Sequence, residues 1–550
     1  MKRYPPQHYM RYQTIFTALV LGLVSFFLVV GPTRLQVTNS EWLFSGGWGD
    51  TWKDFLGWNH FRQSPWGLPL GVNPSNGIEL ASSIVYSDSI PIAALLFKAL
   101  SPILPITFQY FGLWILLSFI LQAYFSLRIY SLFFDSRLVQ AIGALILVFS
   151  PILIHRTNVH VSLTSHWLIL ASLFLALRKN FTKDFTAWLI LLIISAGIHP
   201  YFFVINFFVF LFTFVLNLVS KQRVRILSLS KVLGFASIPL VLWLYGYFEI
   251  SLSSQTTEFP YELFRVDMLQ PFNFAGWSHL ASIGNITELQ GNYEAFNYLG
   301  PAILVLLGFL LVNLAGDRVS LGDSIVRNIH LVAPVALMAL YSLTNKISIG
   351  RRQIISFAVP EWFEPLTTSL RAAGRFFWPV YYLLSIYVVV YFYRKFKYKR
   401  ARVYFLAIVM VFHIADTNYA WRSISNLEYG NFHERRLSPD YYQRSSWASV
   451  LENKSNIVVL PITAPGYQWK IVGTLASDFG LATNSVYLAR QDTLVMKKAN
   501  RKYLNELEDG NLSEFSAYIV TPEFKQELIN RNLLSVDRFY ELDGLTLIRN

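Results

Sequence analysis

Cysteine is absent from all 550 residues, which excludes thiol catalysis, disulfides and Cys-ligated zinc. Charge is scarce as well. Asp, Glu, Lys and Arg make up 14% of the chain, where a soluble domain carries about 25%. The long apolar runs hold charged residues only near their ends. Transporters commonly keep ionisable groups or broken helices near the bilayer midplane, so this scarcity argues against a charge-lined transport path. No internal repeat and no low-complexity linker occurs. A small-residue cleavage pattern is also missing behind the first apolar run, 15–32, which is too long for a typical signal-peptide core and reads as a retained anchor.

What is present points to the bilayer. The chain is 54% hydrophobic and 16% aromatic, with 45 Phe and 30 Tyr, and its mean hydropathy is +0.40. A helix needs roughly 20 apolar residues to cross about 30 Å of hydrocarbon. On that criterion the chain is an all-α polytopic membrane protein with eleven predicted spans, near 14–32, 107–127, 138–154, 163–178, 185–199, 201–219, 232–250, 298–315, 329–345, 376–393 and 402–418. Segment 90–105 is short and proline-bracketed, which suits a helix lying along the interface. The net charge of +13 is a topology signal rather than a nucleic-acid signal, because Lys and Arg accumulate in cytoplasmic loops. The loops 2–13, 128–137, 178–184, 220–231, 316–328 and 394–402 hold 20 Lys/Arg in 63 residues, whereas 33–106, 155–162, 251–297 and 346–375 hold 11 in 159. The N-terminus is therefore expected in the cytoplasm. With an odd number of spans, the long loops 33–106, 251–297 and 346–375 and the C-terminus are expected outside. After residue 418 the composition turns polar and mixed. Strand-like runs at 456–461, 517–522 and 544–549 and helical runs at 492–510 and 523–532 predict a small extracytoplasmic α/β domain over 419–550, behind a membrane domain over 1–418.

Charged residues in the outer loops are the candidates for chemistry. The stretch 38–54, TNSEWLFSGGWGDTWKD, sets Asp50 beside Trp48 at the mouth of the first span, where an uncompensated carboxylate is costly. Asp50 can act as a general base or a metal ligand. The plainer alternative is a loop cap or a partner for Arg34, Lys53 or Arg62. Asp54 lies one helical turn on and can share its face. Asp88 precedes segment 90–105 and is either an N-cap or a second functional acid. His155, His160 and His166 cluster at the outer ends of the third and fourth spans. Their spacing is not a zinc signature, so hydrogen bonding to substrate ranks ahead of a metal, with plain interfacial histidines as the alternative. Arg371 and Arg375 stand four residues apart before span 376–393, on the side where basic residues are rare. Such a pair suits a phosphate at headgroup depth; ordinary snorkelling is the alternative. Trp48 and Glu294 complete the set of substrate-binding candidates.

These stretches, GGWGDTW (46–52), YSDSIPI (86–92), HVSLTSHWLIL (160–170), GNYEAFNYLG (291–300), RAAGRFFWP (371–379) and ATNSVYLAR (482–490), resemble in their order the GT-C superfamily of membrane glycosyltransferases, within an uncharacterised bacterial branch. The resemblance covers nearly the whole chain. It implies transfer of a sugar from a polyprenyl-phosphate carrier to a cell-envelope glycan or glycolipid on the outer face of the bacterial cytoplasmic membrane. The implied partners are that donor, that acceptor and membrane lipid, with no nucleic acid and no cofactor. Asp50 matches the first-loop carboxylate that serves as general base, Asp88 a second acidic position, and Arg371 and Arg375 the place of the carrier phosphate. The first loop lacks the tight Asp-x-Asp or Asp-Glu pair of some relatives, which leaves Asp50 as the one candidate for a divalent metal. The competing expectation is a lipid-linked glycan transporter or a non-catalytic envelope assembly factor.

Overall fold

A computed structural model describes the chain except for residues 1–6, 46–49, 220–228, 252–254, 257–258, 275, 280–285, 288–290, 292, 431–441, 443 and 550. It is 62% helical. A helix occupies each of the eleven predicted apolar segments. Among the described residues, six helical stretches are long and apolar enough to cross a membrane: Tyr12–Val29, Phe111–Tyr130, Val161–Arg178, Pro200–Asn217, Ala373–Lys395 and Ala401–Arg422. Four more are apolar but shorter: Arg137–Val148, Leu233–Tyr245, Pro301–Asn313 and Ile329–Leu343.

Local sequence explains several of the differences. Segment 138–154 breaks into Arg137–Val148 and Pro151–Arg156, because Pro151 lacks the N–H that would continue the helix. Phe181–Ala196 starts with a polar turn containing Lys183 and Asp184. Segment 90–105 resolves into Pro91–Ala99 and a turn at Ser101–Ile103. The helix after span ten runs past the expected boundary at 418, to Gly430.

The C-terminal region is a five-stranded sheet in the order Ala482–Thr483, Asn456–Leu460, Ser516–Val520, Leu545–Ile548, Phe539–Leu542. The first three strands are parallel and the last two antiparallel. Side chains alternate across a strand. Ile457 and Val459 therefore pack on one face with Val472 and Leu475 of helix Trp469–Phe479. Val458 and Leu460 pack on the other with Tyr503 and Leu528, from helices Thr493–Glu508 and Pro522–Asn530. Asp492 caps the first of these helices by accepting from Leu494 N at 2.9 Å, and Thr521 caps the second.

The sheet unit sits directly on the first long loop. Gly77 N donates to Thr483 O at 2.8 Å, and Ala489 N to Tyr86 O at 2.7 Å. Gln255–Thr256 pairs with Gln491–Asp492. Helix Asp50–Gln63 lies between the sheet unit and the helical core, with Thr51 to Trp58, His60 and Phe61 all buried. Its side chains reach both ways: Trp58 Nε1 donates to Phe108 O at 2.9 Å and Trp52 Nε1 to Thr474 Oγ1 at 3.1 Å. A helix buried on all sides needs no apolar stripe, which explains why it carries no amphipathic pattern.

Candidate functional site

Four loops and the sheet unit converge on a cavity of about 310 Å³ beneath the C-terminal domain. Asp50 and Lys53 enter from the buried helix and Asp88 from the following turn. His160 enters from loop 155–162, Glu294 from the turn at 293–296, Arg371 and Arg375 from the turn before Trp378–Lys395, and Tyr487 and Arg490 from the sheet unit. Of the residues singled out from sequence, Asp50, Asp88, His160, Glu294, Arg371 and Arg375 thus line one space.

Their charges form a continuous lattice. Lys53 Nζ lies 2.6 Å from Asp88 Oδ2, 3.5 Å from Asp50 Oδ1 and 3.9 Å from Asp54 Oδ1. His160 Nε2 lies 2.7 Å from Glu294 Oε1 and 3.5 Å from Asp50 Oδ2. The shorter contact assigns the Nε2 proton to a bond toward Glu294. Glu294 also accepts from Arg156 Nη1 at 3.0 Å and from Arg375 through Nε at 3.0 Å and Nη2 at 2.9 Å. Gly374 makes this possible: a Cβ there would stand 2.6 Å from Ala295 Cα, so a side chain would push the Glu294 turn away from Arg375.

Burial and neighbours act in opposite directions on these groups. Burial penalises the Glu294 carboxylate, but Arg156, Arg375 and His160 outweigh it and hold its pKa well below the usual range. At Asp88 burial is again outweighed, by Lys53 and His199, and the pKa is lowered. Burial opposes charge on Lys53, yet Asp88, Asp50 and Asp54 raise its pKa. Asp54 is the exception. Burial dominates there and raises its pKa well above the ordinary value, and neither carboxyl oxygen has a hydrogen-bond partner.

Several expectations need correction. Asp88 does not cap helix Pro91–Ala99; Ile90 holds that position in a left-handed conformation, and the Asp88 side chain turns to Lys53. Arg371 and Arg375 do not form a phosphate pair on one helical face. Arg375 is committed to Glu294, whereas Arg371 Nη1 is buried with no hydrogen-bond partner. His155 and His166 lie off the cavity. His155 Nε2 meets Tyr293 O at 2.9 Å between Trp277 and Phe296, and His166 Nδ1 meets Tyr382 Oη at 3.0 Å against Trp378. Trp48 lies outside the described residues. As for a metal, among the described residues no three His, Asp or Glu groups converge on one point, and Lys53 supplies the positive charge between Asp50 and Asp88.

Sequence reasoning missed Arg490, His199 and Arg156. Arg490 donates to Ser369 O at 2.6 Å and to Ala489 O, while its Nε has no partner. Burial lowers its pKa to about 10, so it stays charged at neutral pH. Among the described residues neither Arg371 nor Arg490 meets a carboxylate. The cavity also has apolar lining, from Phe203 and Val204 of helix Pro200–Val219, Leu242 of helix Leu229–Tyr245, and Phe259 and Phe264, whose rings lie 5.5 and 5.9 Å from the Arg371 guanidinium.

Fold and site together define a helical protein with stretches of membrane-spanning length and a buried charge lattice under an α/β cap. Residues 19–418 match the family described as Domain of unknown function (DUF6311), and residues 446–550 match the DUF6311 C-terminal domain. The chain belongs to that family. No curated protein matches it.

Proposed function

We propose that the chain is a GT-C-like membrane glycosyltransferase, which moves a sugar from a polyprenyl-phosphate carrier to a cell-envelope glycan or glycolipid. In this reading the chain crosses the bacterial cytoplasmic membrane eleven times, with its N-terminus inside and the α/β domain outside. One observation carries the proposal. A single cavity joins a loosely held carboxylate, two arginines with unpartnered N–H groups, and an apolar wall. An anionic headgroup on an isoprenoid tail has this split chemistry. The wall from Phe203 to Leu242 suits the first isoprene units, and Arg371 and Arg490 suit the phosphate.

Asp50 is the best base among the four acids. Asp88 and Glu294 are bound at 2.6 to 3.0 Å by cations, and Asp54 is sealed off from the cavity lining, whereas the ionic contacts of Asp50 are both at 3.5 Å. Asp50 takes the proton of an acceptor hydroxyl. The oxygen forms its bond to the anomeric carbon as the carbon–oxygen bond to phosphate breaks. The electron pair leaves on a phosphate oxygen neutralised by arginine, and the displacement inverts the anomeric centre.

The test is deletion of the gene and complementation with wild type or Asp50→Asn at matched membrane levels, with mass spectrometry of surface glycolipids and polysaccharide. General-base loss slows transfer by roughly 10²–10⁴-fold, so the variant is expected to copy the deletion and lack one sugar increment. Full restoration by Asp50→Asn overturns the role of Asp50. Loss of labelled lipid-linked sugar from one leaflet of liposomes, without chemical change, would favour the transporter instead.

A further inference from the structure

We propose that a second cleft, between the buried helix Asp50–Gln63 and helix Trp469–Phe479, binds the neutral saccharide chain of the acceptor. The word acceptor rests on the transferase reading above; saccharide binding does not. The cleft measures about 530 Å³, larger than the charged cavity.

Its lining has the chemistry of a sugar site. Phe44, Trp52 and Phe479 line it with aromatic rings, Lys470 Nζ standing 5.1 Å from the Trp52 ring, while Asn59, Gln63 and Asp478 bring polar groups, Asn59 Nδ2 donating to Ser477 Oγ at 2.6 Å and Gln63 Nε2 to Ser477 O at 3.3 Å. The C–H faces of a pyranose pack on aromatic rings and its hydroxyls need polar partners at the edge, so sites for such ligands combine apolar walls with a few placed polar groups. Among the described residues, the charged groups of the lining are one of each sign, Arg444 and Asp478. The Asp478 carboxylate accepts from the Tyr442 hydroxyl, and Arg444 stacks on Phe479 at 5.3 Å. This balance suits an uncharged chain rather than a uronic-acid polymer.

A layer of packed rings separates the cleft from the cavity. Ring centroids step from Phe44 to Trp52 at 5.2 Å, from Trp52 to Trp469 at 6.1 Å, and from Trp469 to Tyr487 at 5.4 Å. Tyr487 lines the charged cavity and lies 5.6 Å from Lys53 Nζ. Trp52 is thus a wall of one space and Lys53, the next residue, a wall of the other. The cleft and the charged cavity thus lie on two sides of the same buried helix.

The experiment uses the purified full-length protein in detergent, without donor. The probes are a panel of neutral hexose and N-acetylhexosamine oligosaccharides and matching uronic-acid oligosaccharides. At least one neutral probe is expected to bind saturably. Asn59→Leu and Phe479→Ala, each checked for a monodisperse elution profile, are both expected to weaken it about tenfold or more. The proposal is overturned if no neutral probe binds, if only acidic probes bind, or if both folded variants bind as wild type does. The two readings fail separately. Saccharide binding with full envelope restoration by Asp50→Asn removes the role of Asp50 in transfer and keeps the cleft; Asp50-dependent transfer with no neutral binding removes the cleft alone.

Discussion

Two halves of the charge lattice are built as inverses of each other. In one, the single ammonium of Lys53 faces three carboxyl groups at 2.6, 3.5 and 3.9 Å. In the other, the single carboxylate of Glu294 faces two guanidinium groups and an imidazole at 2.7 to 3.0 Å. The contact between Asp50 and His160 joins them. The difference lies in geometry. Arginine forks bond a carboxylate in fixed directions, whereas an ammonium is a point charge on a flexible stem. The Glu294 half is therefore a frame, with every oxygen engaged. The Lys53 half balances charge without fixing every partner, and that is where a carboxylate stays available for chemistry.

The largest effect is expected from breaking the frame. Glu294→Gln leaves Arg156 and Arg375 buried without a counter-charge, and removing one partner of a buried pair costs about 3–5 kcal/mol. Thermal unfolding in detergent should show the loss. The pH dependence follows from the direction of the shift. The Glu294 pKa is lowered on folding, so its contribution is present above the unfolded value of 4.5 and is lost as pH falls through the folded one. Wild type and variant should converge under acid; a constant gap across pH would contradict the frame.

Lys53→Met is expected to cost less, about 3 kcal/mol at the low end for a broken buried pair. His199 still faces Asp88 at 3.5 Å, and burial already opposes charge on Asp54. A loss equal to that of Glu294→Gln would erase the contrast between the halves. Next comes Arg371→Ala, which should leave the melting temperature near wild type but raise the apparent KM for the lipid donor about tenfold, as loss of a charged hydrogen bond does. Arg375→Ala should show the reverse pattern, with instability first. If the two arginine variants behave alike, the division between frame and phosphate site is wrong. The smallest effect belongs to Asp54→Asn, within about 1 kcal/mol under acid, where a protonated carboxyl and an amide are close in shape. The Asp54 pKa is raised on folding. Its contribution is fully present below the unfolded value of 3.8 and is lost as pH rises through the folded one. The variant should therefore gain on wild type as the buffer becomes more alkaline.

The site was partly legible in the sequence because charge is so scarce. In a chain with 14% charged residues, an acid such as Asp50, Asp88 or Glu294 in an outer loop is conspicuous, and all three reached the same cavity. What the sequence could not convey was pairing. Arg371 and Arg375 look equivalent four residues apart, and only the close approach permitted by Gly374 shows that one of them belongs to Glu294. Arg490 sits 440 positions from Asp50 in the chain, brought near by the docking of Ala489 on Tyr86, which no local pattern announces. The strands Asn456–Leu460 and Ser516–Val520 were legible from their apolar β-branched runs, whereas Ala482–Thr483 and Phe539–Leu542 are too short or too polar for that signal. The helix Asp50–Gln63 was hidden for a related reason: burial on every side removes the periodicity by which helices are recognised.

The enclosure of that helix between two folded units has a practical corollary for mapping the protein in its membrane. Chain topology is often charted by adding single cysteines and asking which react with impermeant thiol reagents. Here the native sequence is already a blank background. A loop outside the apolar helices would normally label readily once the reagent reaches its side, yet cysteines at positions 51–58 should stay silent, while those at Trp66 or Leu68, which are 54% and 71% exposed, should react. A naive scorer would move the segment into the bilayer. Denaturing the α/β cap before labelling would correct the map, and the order in which the silent positions awaken would trace how the cap lifts.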